Sequence, residues 1–123
     1  VGDYKIKNKN LEKIKKTENF DLNLEKNIDI LSYISKHNSL RPKIVIGFAA
    51  ETNNLIKNAK KKLSEKSCDW IIANDISNSS IGFGSDFNEV SIFCKNMNNE
   101  KIPKMEKSIL AEKIVKKVIA QLN

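Results

Sequence analysis

The sequence predicts an α/β fold with a mostly parallel sheet and helices on both of its faces. Two short segments, 43–50 and 69–73, are almost continuously apolar and have the composition of strands covered on both faces. Between them, apolar residues recur at spacings of three and four, which is typical of an amphipathic helix, and a longer segment of the same kind comes last. With 123 residues the chain has room for one domain.

The first third of the chain is predicted to supply two short strands and one helix. Residues 1–4 are expected to form the end of a strand, followed by a lysine-rich loop that extends to Lys16. Residues 20–24 alternate apolar and polar side chains with the period of two of a half-buried strand. Asp29 is expected to cap a helix that ends before the breaker segment 38–42.

The middle of the chain is predicted to form a βαβ unit, which requires a parallel pair of strands. Segment 43–50 is expected to be a central strand, and the helix after it is expected to be capped by Thr52 or Asn53 and to extend to about Lys66. Segment 69–73 is the second strand of the unit. The buried stripe of the helix is predicted to consist of Leu55, Ile56, Ala59 and Leu63.

The last part of the chain is predicted to contain one more strand and a long helix. Segment 77–88 is rich in Ser, Asn, Gly and Asp and is expected to be a loop. Residues 89–94 are expected to form an antiparallel strand at the edge of the sheet, and 96–99 a polar turn. A helix is expected over 104–122, with one apolar stripe and a face of lysines and glutamates.

The formal net charge of +7 at pH 7 favours polyanionic partners, because a positive potential concentrates phosphates and nucleic acids near the surface. Arg41 is the single Arg among 22 basic residues, and Asn occurs 16 times. Since AAA and AAT codons give Lys and Asn, we attribute part of this basicity to an AT-rich genome. A nucleic-acid-binding module therefore stays open as an alternative that charge alone supports.

Membrane, metal and hydrolase classes are disfavoured. No apolar run approaches the roughly 20 residues that span a bilayer. Cys68 and Cys94 lack the spacing of a zinc knuckle or a redox pair, so we expect free thiols in a reducing cytosol. His37 has no nearby carboxylate or Cys and is expected at the surface, which argues against a nucleophilic triad. The segment from Gly82 to Gly84 lacks the strand-turn-helix context of a dinucleotide fingerprint.

Ligands of open α/β sheets bind outside the carboxyl ends of the strands, which selects three candidate places: Asp3-Tyr4, segment 47–54 and Asn74-Asp75. Lys62 and Lys66 are four residues apart on the helix between the last two places, so they share a face. Two ammonium groups there could hold one polyphosphate, or they could belong to a solvated basic face. The chemistry that this residue content favours is positioning and charge neutralisation, as in phosphoryl or nucleotidyl transfer.

Seven segments carry a resemblance to a known family. They are Val1-Gly-Asp-Tyr-Lys, Lys13-Ile-Lys-Lys, Lys26-Asn-Ile-Asp-Ile-Leu, Arg41-Pro, Gly47-Phe-Ala-Ala-Glu-Thr-Asn-Asn, Ala73-Asn-Asp-Ile-Ser and Gly82-Phe-Gly-Ser-Asp. In this order they resemble the motifs of the phosphopantothenate–cysteine ligases, over nearly the whole chain. In bacteria these ligases are usually the C-terminal half of a bifunctional flavoprotein of coenzyme A biosynthesis.

The resemblance implies a cytoplasmic ligase that activates 4'-phosphopantothenate with CTP and Mg²⁺. An acyl-cytidylate and pyrophosphate form first, and cysteine then displaces CMP to give 4'-phosphopantothenoylcysteine. The implied fold is a Rossmann-like three-layer domain, usually a homodimer. FMN is implied only if the natural chain also carries the decarboxylase half. No membrane or nucleic-acid partner is implied.

Residues 1–123 would be the C-terminal portion of the CTP-binding ligase domain. The chain opens without an initiator Met, and the family's first βα units would lie upstream of Val1. We therefore expect an N-terminally truncated domain that is inactive by itself.

The resemblance also assigns roles to individual residues. Lys13 is implied to be catalytic, Asn74 is a candidate substrate contact, and no protein metal ligand is implied. Ile28 stands where the family has Pro, which leaves a noncatalytic nucleotide-binding homologue as an alternative. The residues implied to bind the nucleotide are Asp3, Lys13, Ile28, Asp29, Ile30, Leu31, Phe48, Lys62 and Lys66.

Overall fold

A computed structural model describes residues 2–7, 21–77, 84–95 and 98–123. The chain divides into two compact units, residues 1–30 and residues 31–123. In the described ranges, no helix is both long enough and apolar enough to cross a membrane.

The first unit contains a two-stranded antiparallel ribbon. Strand β1, Tyr4–Ile6, pairs with strand β2, Leu24–Lys26, so that Tyr4 lies opposite Lys26. Lys5 and Glu25 face each other across the ribbon, with Nζ and Oε1 3.1 Å apart. Opposite charges at a directly paired position stabilise such a ribbon.

Both strands differ from their predicted bounds. The first strand, expected to end at Tyr4, begins there, and the second, expected over 20–24, begins at Leu24 and ends at Lys26. Both strands are largely exposed, so the alternation of apolar and polar residues does not indicate a strand that packs on a hydrophobic core.

The second unit is built on a four-stranded sheet in the order β3-β4-β5-β6. The β3/β4 pair is parallel, as the predicted βαβ unit requires, and the other two pairs are antiparallel. The four described strands therefore form a mixed sheet, where the sequence predicted a mostly parallel one. The strands are β3 Ile46–Glu51, β4 Trp70–Asp75, β5 Phe87–Cys94 and β6 Glu100–Glu106, and the helices are α1 Ile30–Ser35, α2 Leu55–Lys66 and α3 Lys107–Leu122.

Helices cover both faces of this sheet, which confirms the predicted three-layer α/β class. On one face, Ala59 and Leu63 of α2 pack against Ile71 and Phe93 of the sheet. On the other face, Leu110 of α3 packs with a second set of strand residues. That second set is Trp70, Ile72, Val90, Ile92 and Ile102.

Strand β3 differs from the central strand that the sequence predicted. Within the described residues it pairs with β4 alone and forms an edge of the sheet. Its side chains alternate, with Gly47 and Ala49 buried and Phe48 73% exposed. The continuous apolar run therefore does not indicate that β3 is buried on both faces, because α3 does not cover Phe48.

Strand β6 was not predicted, and its presence moves β5 to the interior of the sheet. The sequence of β6 is mostly polar and includes Pro103, and its last three residues were assigned to the following helix. Proline is tolerated on an edge strand, and within the described sheet β6 has only β5 as a neighbour. Helix α3 accordingly begins at Lys107 rather than at residue 104.

Helix α2 ends at Lys66 as predicted but begins differently. Its N-cap is Asn54, which adopts a left-handed conformation with φ 47° and makes no side-chain capping hydrogen bond. The predicted caps, Thr52 and Asn53, lie before it. Ile56, expected in the buried stripe, is 61% exposed.

A half-buried carboxylate ties together the amino ends of the parallel strands. Asp69 accepts two hydrogen bonds from Nη2 of Arg41, at 2.9 and 2.8 Å, and one from the backbone N–H of Val45 at 2.7 Å. Nε of Arg41 donates to the carbonyl of Ser35 at the end of α1, at 2.9 Å. One guanidinium thus joins α1 to the start of β4, and Asp69 joins β4 to the segment that leads into β3.

We predict that Asp69→Ala lowers the free energy of unfolding by about 2 to 3 kcal/mol, because charge-assisted hydrogen bonds are lost and the Arg41 charge is left without its partner. Urea denaturation of the purified variants measures this. The matched control is Glu65→Ala, which removes an exposed ion pair with Lys61 and should change the same free energy by no more than about 0.5 kcal/mol. Equal stability of the two variants would contradict the role given to Asp69.

Candidate functional site

The carboxyl ends of β3 and β4 meet at one edge of the sheet. Glu51 and Asp75 are paired in register there, one position beyond Ala50 and Asn74. The backbone N–H of Ile76 donates to the carbonyl of Glu51 at 2.9 Å, which extends the pairing past the strands. This is the edge at which α/β sheets bind ligands.

Glu51 organises the polar side chains at this edge. Its Oε1 lies 2.8 Å from Nζ of Lys62, and its Oε2 accepts a 2.8 Å hydrogen bond from Nδ2 of Asn58. Asn58 and Lys62 are four residues apart and so lie on one face of α2. The same Nδ2 of Asn58 also donates to the carbonyl of Asn53, at 3.2 Å. The helix, the strand end and the connection between them are joined by this Glu51 cluster, which consists of Glu51, Asn58 and Lys62.

The electrostatics of the cluster keep Glu51 ionised. The pairing with Lys62 lowers the pKa of the Glu51 carboxyl below 4.5, and the Asn58 hydrogen bond acts in the same direction against the opposing effect of burial. The Glu51 side chain is only 13% exposed, whereas that of Lys62 is 40% exposed. The ammonium group is therefore held in place but remains accessible to an anion from solvent.

Lys66, the second lysine predicted to bind phosphate, is the last residue of α2. It lies four residues after Lys62, which is about 6 Å farther along the helix axis. Lys66 is half-buried and has a partner of its own. The four-residue spacing places Lys62 and Lys66 on the same face of α2.

Asn74, the candidate substrate contact, is half-buried at the end of β4. The neighbouring Asp75 accepts hydrogen bonds at Oδ1 from the N–H and the Oγ–H of Ser77, at 2.9 and 2.6 Å. These bonds, the side-chain one first, lower the pKa of the Asp75 carboxyl. The turn after β4 is therefore fixed by Asp75. Asn74 lies directly opposite Ala50 on β3, whereas Glu51 is paired with Asp75, so Asn74 and Glu51 are on opposite faces of the sheet.

Leu31 and Phe48 lie on opposite faces of β3. A Cβ atom added at Gly47 would come within 2.5 Å of Cδ2 of Leu31 and 2.8 Å of Cδ1 of Ile71. Leu31 thus packs on the face that α2 covers, while the exposed Phe48 ring is directed to the other face. The structure does not bring these two predicted nucleotide-binding side chains together.

Within the first unit, hydrogen bonds join the segment that contains Asp3 to Asn27, which precedes Ile28. The backbone N–H of Asn27 donates to the carbonyl of Asp3 at 2.9 Å, and its Nδ2 donates to the carbonyl of Gly2 at 2.7 Å. Asp3 therefore lies beside the segment that contains Ile28, although 25 positions separate them. Ile28 is 79% exposed and Ile30 is 49% exposed.

The last two of the predicted nucleotide-binding residues are Asp29 and Lys13. Asp29 is exposed and has a partner. Lys13, the predicted catalytic residue, lies outside the described residues.

The thiols and the histidine do not form a reactive centre. Burial raises the pKa of both the Cys68 and the Cys94 thiol, and neither is in a disulfide. Nδ1 of His37 accepts the N–H groups of Ser39 and Leu40, at 3.3 and 3.1 Å, and so orders the turn after α1. In the described part of the chain, no group of three or more His, Cys, Asp and Glu residues could hold a metal ion.

Glu51 and Asn58 are the site residues that sequence reasoning missed. Glu51 stands inside the motif that begins at Gly47, but no role followed from its position in the chain. Its contact with Lys62 depends on where α2 passes the end of β3, which spacing along one helix does not reveal. No sequence signal links the two residues, because Glu51 ends β3 and Asn58 lies on α2.

Comparison with known proteins supports the resemblance. Residues 1–122 match the family described as "DNA/pantothenate metabolism flavoprotein C-terminal domain". The chain belongs to this family. Curated relatives with the name "Coenzyme A biosynthesis bifunctional protein CoaBC" include those of Borreliella burgdorferi, 44% identical over 94% of this chain, and Bacillus subtilis, 35% identical over 98%.

The chain spans less than a third of the length of these relatives, since each match covers 29% of the relative. Two solved structures of family members are similar in fold. One is the crystal structure of the C-terminal domain of CoaBC, with a TM-score of 0.66 and 32% identity, covering 82% of this chain and 45% of that one. The other is the DNA/pantothenate metabolism flavoprotein from Streptococcus pneumoniae, with a TM-score of 0.60, 25% identity and coverage of 84% and 44%.

We predict a pH-dependent effect of Glu51→Gln in this family member. The folded-state pKa of Glu51 lies below its ordinary value of 4.5, so its ionised form stabilises the fold above about pH 4.5 and this stabilisation is lost as pH falls through the folded-state pKa. The variant should therefore be less stable than the wild type at pH 7, and the difference should shrink as pH falls from 4.5 through the folded-state pKa. Urea denaturation at pH 7, 5, 4 and 3 measures the difference.

The control for this series is Glu65→Gln, which removes a charge from an exposed pair with Lys61 on the same helix. Its effect on the free energy of unfolding should be small at every pH. A Glu51→Gln difference that does not change with pH would show that shape, and not charge, is what Glu51 contributes.

Proposed function

We propose that the chain is the C-terminal part of the CTP-binding domain of a phosphopantothenate–cysteine ligase that acts in coenzyme A biosynthesis. The observation that carries this proposal is the Glu51 cluster, which holds the Lys62 ammonium, 40% exposed, at the ligand-binding edge of a parallel strand pair. Family membership, and relatives that carry the name of a coenzyme A biosynthesis protein, support the same assignment. The proposed products are 4'-phosphopantothenoylcysteine, CMP and pyrophosphate.

The chemistry explains why lysines are needed. A carboxylate must attack the α-phosphate of a nucleoside triphosphate, and both reactants are anions. Fixed positive charge lowers the repulsion and stabilises the charge that develops on the phosphate oxygens in the transition state. In this proposal Lys13 stabilises the activation step, and Lys62 and Lys66 hold the triphosphate.

Within the cluster, Glu51 and Lys62 play complementary parts. Glu51 orients the lysine in the absence of nucleotide, because a nearly buried carboxylate at 2.8 Å limits the positions that the ammonium can adopt. An ammonium group has three donors, so Lys62 can keep its Glu51 contact and still donate to a phosphate. The remaining proposed contacts are Asp3, Ile28, Asp29, Ile30, Leu31 and Phe48 for the nucleotide and Asn74 for the second substrate.

Magnesium enters this proposal with the nucleotide as MgCTP. The described residues contain no group of three or more His, Cys, Asp and Glu that could hold a metal ion. In this proposal the phosphate oxygens of the nucleotide bind the Mg²⁺ ion. We further propose that the natural protein is a cytoplasmic homodimer, and that FMN is present only if it also carries the decarboxylase half.

The test is pyrophosphate release by the natural full-length protein. With MgCTP and 4'-phosphopantothenate present, we expect pyrophosphate, and CMP should follow when cysteine is added. Omitting either substrate should abolish the release. A folded protein that binds CTP without releasing pyrophosphate would replace the proposal by a noncatalytic nucleotide-binding homologue. A protein that binds nucleic acid with a steep salt dependence and has no preference for CTP would replace it by the basic binding module.

We predict that Lys62→Gln in the full-length protein raises the KM for CTP by about 10- to 100-fold, which is the effect of losing one charge-assisted hydrogen bond to phosphate. Lys61→Gln is the matched control, because Lys61 is adjacent on α2 but 68% exposed and pairs only with the exposed Glu65 in the described structure. The control should change KM by less than about twofold. Equal effects of the two substitutions would show that general positive charge, and not the Glu51 cluster, binds the nucleotide.

We predict that Lys13→Gln abolishes turnover while the fold is retained, because this lysine is proposed to act in the activation step. Steady-state kinetics and circular dichroism measure the two properties. Turnover at the wild-type rate would contradict the catalytic role of Lys13.

A further inference from the structure

Asn58 joins the end of β3 to the connection that leads into α2. It is half-buried on α2, and its Nδ2 donates to Oε2 of Glu51 at 2.8 Å and to the backbone carbonyl of Asn53 at 3.2 Å. Both partners are acceptors, so the amide nitrogen and not the amide oxygen must face them, and the orientation of the Asn58 amide is fixed. Asn58 carries no charge of its own, so any effect on an anionic ligand must pass through its partners.

The two oxygens of the Glu51 carboxylate have different partners. Oε1 is shielded from solvent and lies 2.8 Å from Nζ of Lys62, whereas Oε2 accepts the hydrogen bond from Asn58. The last torsion of a glutamate side chain has broad energy minima, so a carboxylate that is held at one oxygen alone can rotate. The hydrogen bond from Asn58 sets the plane of the carboxylate and so directs Oε1 toward Lys62.

The position of the Lys62 ammonium depends in turn on Oε1. A lysine side chain has many rotamers of similar energy, and the Lys62 side chain is 40% exposed, so packing alone does not select one of them. The contact with Oε1 restricts the ammonium to positions near the end of β3, where its other hydrogens can still be donated to an anion. If the carboxylate turned away, Lys62 would lose this restriction while keeping its charge.

We propose that Asn58 is a positioning residue for CTP, because through Glu51 it holds the Lys62 ammonium where it binds the triphosphate. This inference rests on the proposed ligase function and extends it to an uncharged residue that acts through another side chain. The activation step is proposed to depend on Lys13, so Asn58 affects the affinity for CTP and not the rate of turnover at saturation. Its effect on affinity requires Lys62.

Asn58→Leu removes both side-chain hydrogen bonds and leaves a side chain of similar size. In the natural full-length protein, assayed by pyrophosphate release, it should raise the KM for CTP by about 3- to 10-fold, less than Lys62→Gln does, because the ammonium is released but not removed. The same variant should keep kcat within about twofold of the wild type. Destabilisation alone would have the opposite signature, since a smaller folded fraction lowers the apparent kcat and leaves KM unchanged.

Two further variants complete the comparison. Asn58→Ala removes the same hydrogen bonds with the residue that best favours a helix, so it should fold and should raise the KM to the same extent. The matched control is Ser64→Leu, which replaces a polar side chain by leucine at an exposed position of the same helix. The control should have the KM and the kcat of the wild type.

The combination of Asn58→Leu with Lys62→Gln tests whether Asn58 acts through the lysine. Independent contributions would multiply, so the double variant would then have a KM about 3- to 10-fold above that of Lys62→Gln. We expect instead that the double variant and Lys62→Gln differ by less than about twofold, because the orientation of Glu51 no longer matters once the ammonium is absent.

The outcomes separate this inference from the function on which it rests. A wild-type protein that releases no pyrophosphate would overturn the proposed function and the role of Asn58 together. If the wild type is active and Lys62→Gln raises the KM, a wild-type KM in the two Asn58 variants would overturn the role of Asn58 alone. Multiplying effects in the double variant, or an equal rise of KM in Ser64→Leu, would also overturn it.

Discussion

The parallel pairing of β3 and β4 is the constraint on which the rest of this structure depends. Parallel neighbours cannot be joined by a tight turn, so the chain must cross over, and here the crossover is α2. The arrangement brings both amino ends to one edge of the sheet and both carboxyl ends to the other. Asp69 secures the first edge by accepting hydrogen bonds from Arg41 and from Val45, which fixes the strands in register before any ligand is considered. The opposite edge, at the carboxyl ends of β3 and β4, can then hold side chains that bind a ligand.

The two edges use carboxylates for different purposes. At the amino edge, Asp69 is satisfied by a guanidinium and a backbone N–H, and all partners belong to the scaffold. At the carboxyl edge, Glu51 is nearly buried but its partner Lys62 is 40% exposed, so one half of the ion pair faces solvent. When the carboxylate of an ion pair is nearly buried and the ammonium group is exposed, the ammonium group is held in one place and stays accessible to solvent. This asymmetry is what makes the Glu51 cluster suited to binding an anionic ligand.

Local pattern was sufficient to place the elements of the βαβ unit and most of α3. It did not predict burial along α3, where Leu110 is buried but Ile109, Val115 and Ile119 are exposed. It failed for β6, whose polar sequence with Pro103 has no strand signature. This strand is held by its pairing with β5 and by Ile102, which packs with Leu110 of α3. Local pattern also failed for Phe48, since no local pattern shows which part of a sheet a distant helix covers. At the site, Lys62 was found by its helical spacing and by the resemblance to a family. Glu51 and Asn58 were missed because their contacts cross between a strand and a helix, and such contacts arise only once the fold has formed.

Net charge alone does not locate the site in this lysine-rich chain. Lys61 and Lys62 are adjacent on α2, and both pair with a glutamate, yet their surroundings differ. Lys61 is 68% exposed and its partner Glu65 is 58% exposed, at a distance of 3.8 Å, so solvent screens the interaction and its contribution is small. Lys62 lies 2.8 Å from a glutamate that is 13% exposed, where screening is weaker and the geometry is held by Asn58 as well. Lys62 therefore differs from its solvated neighbour in the burial of its partner, and on this basis we propose that Lys62, and not Lys61, binds an anionic ligand.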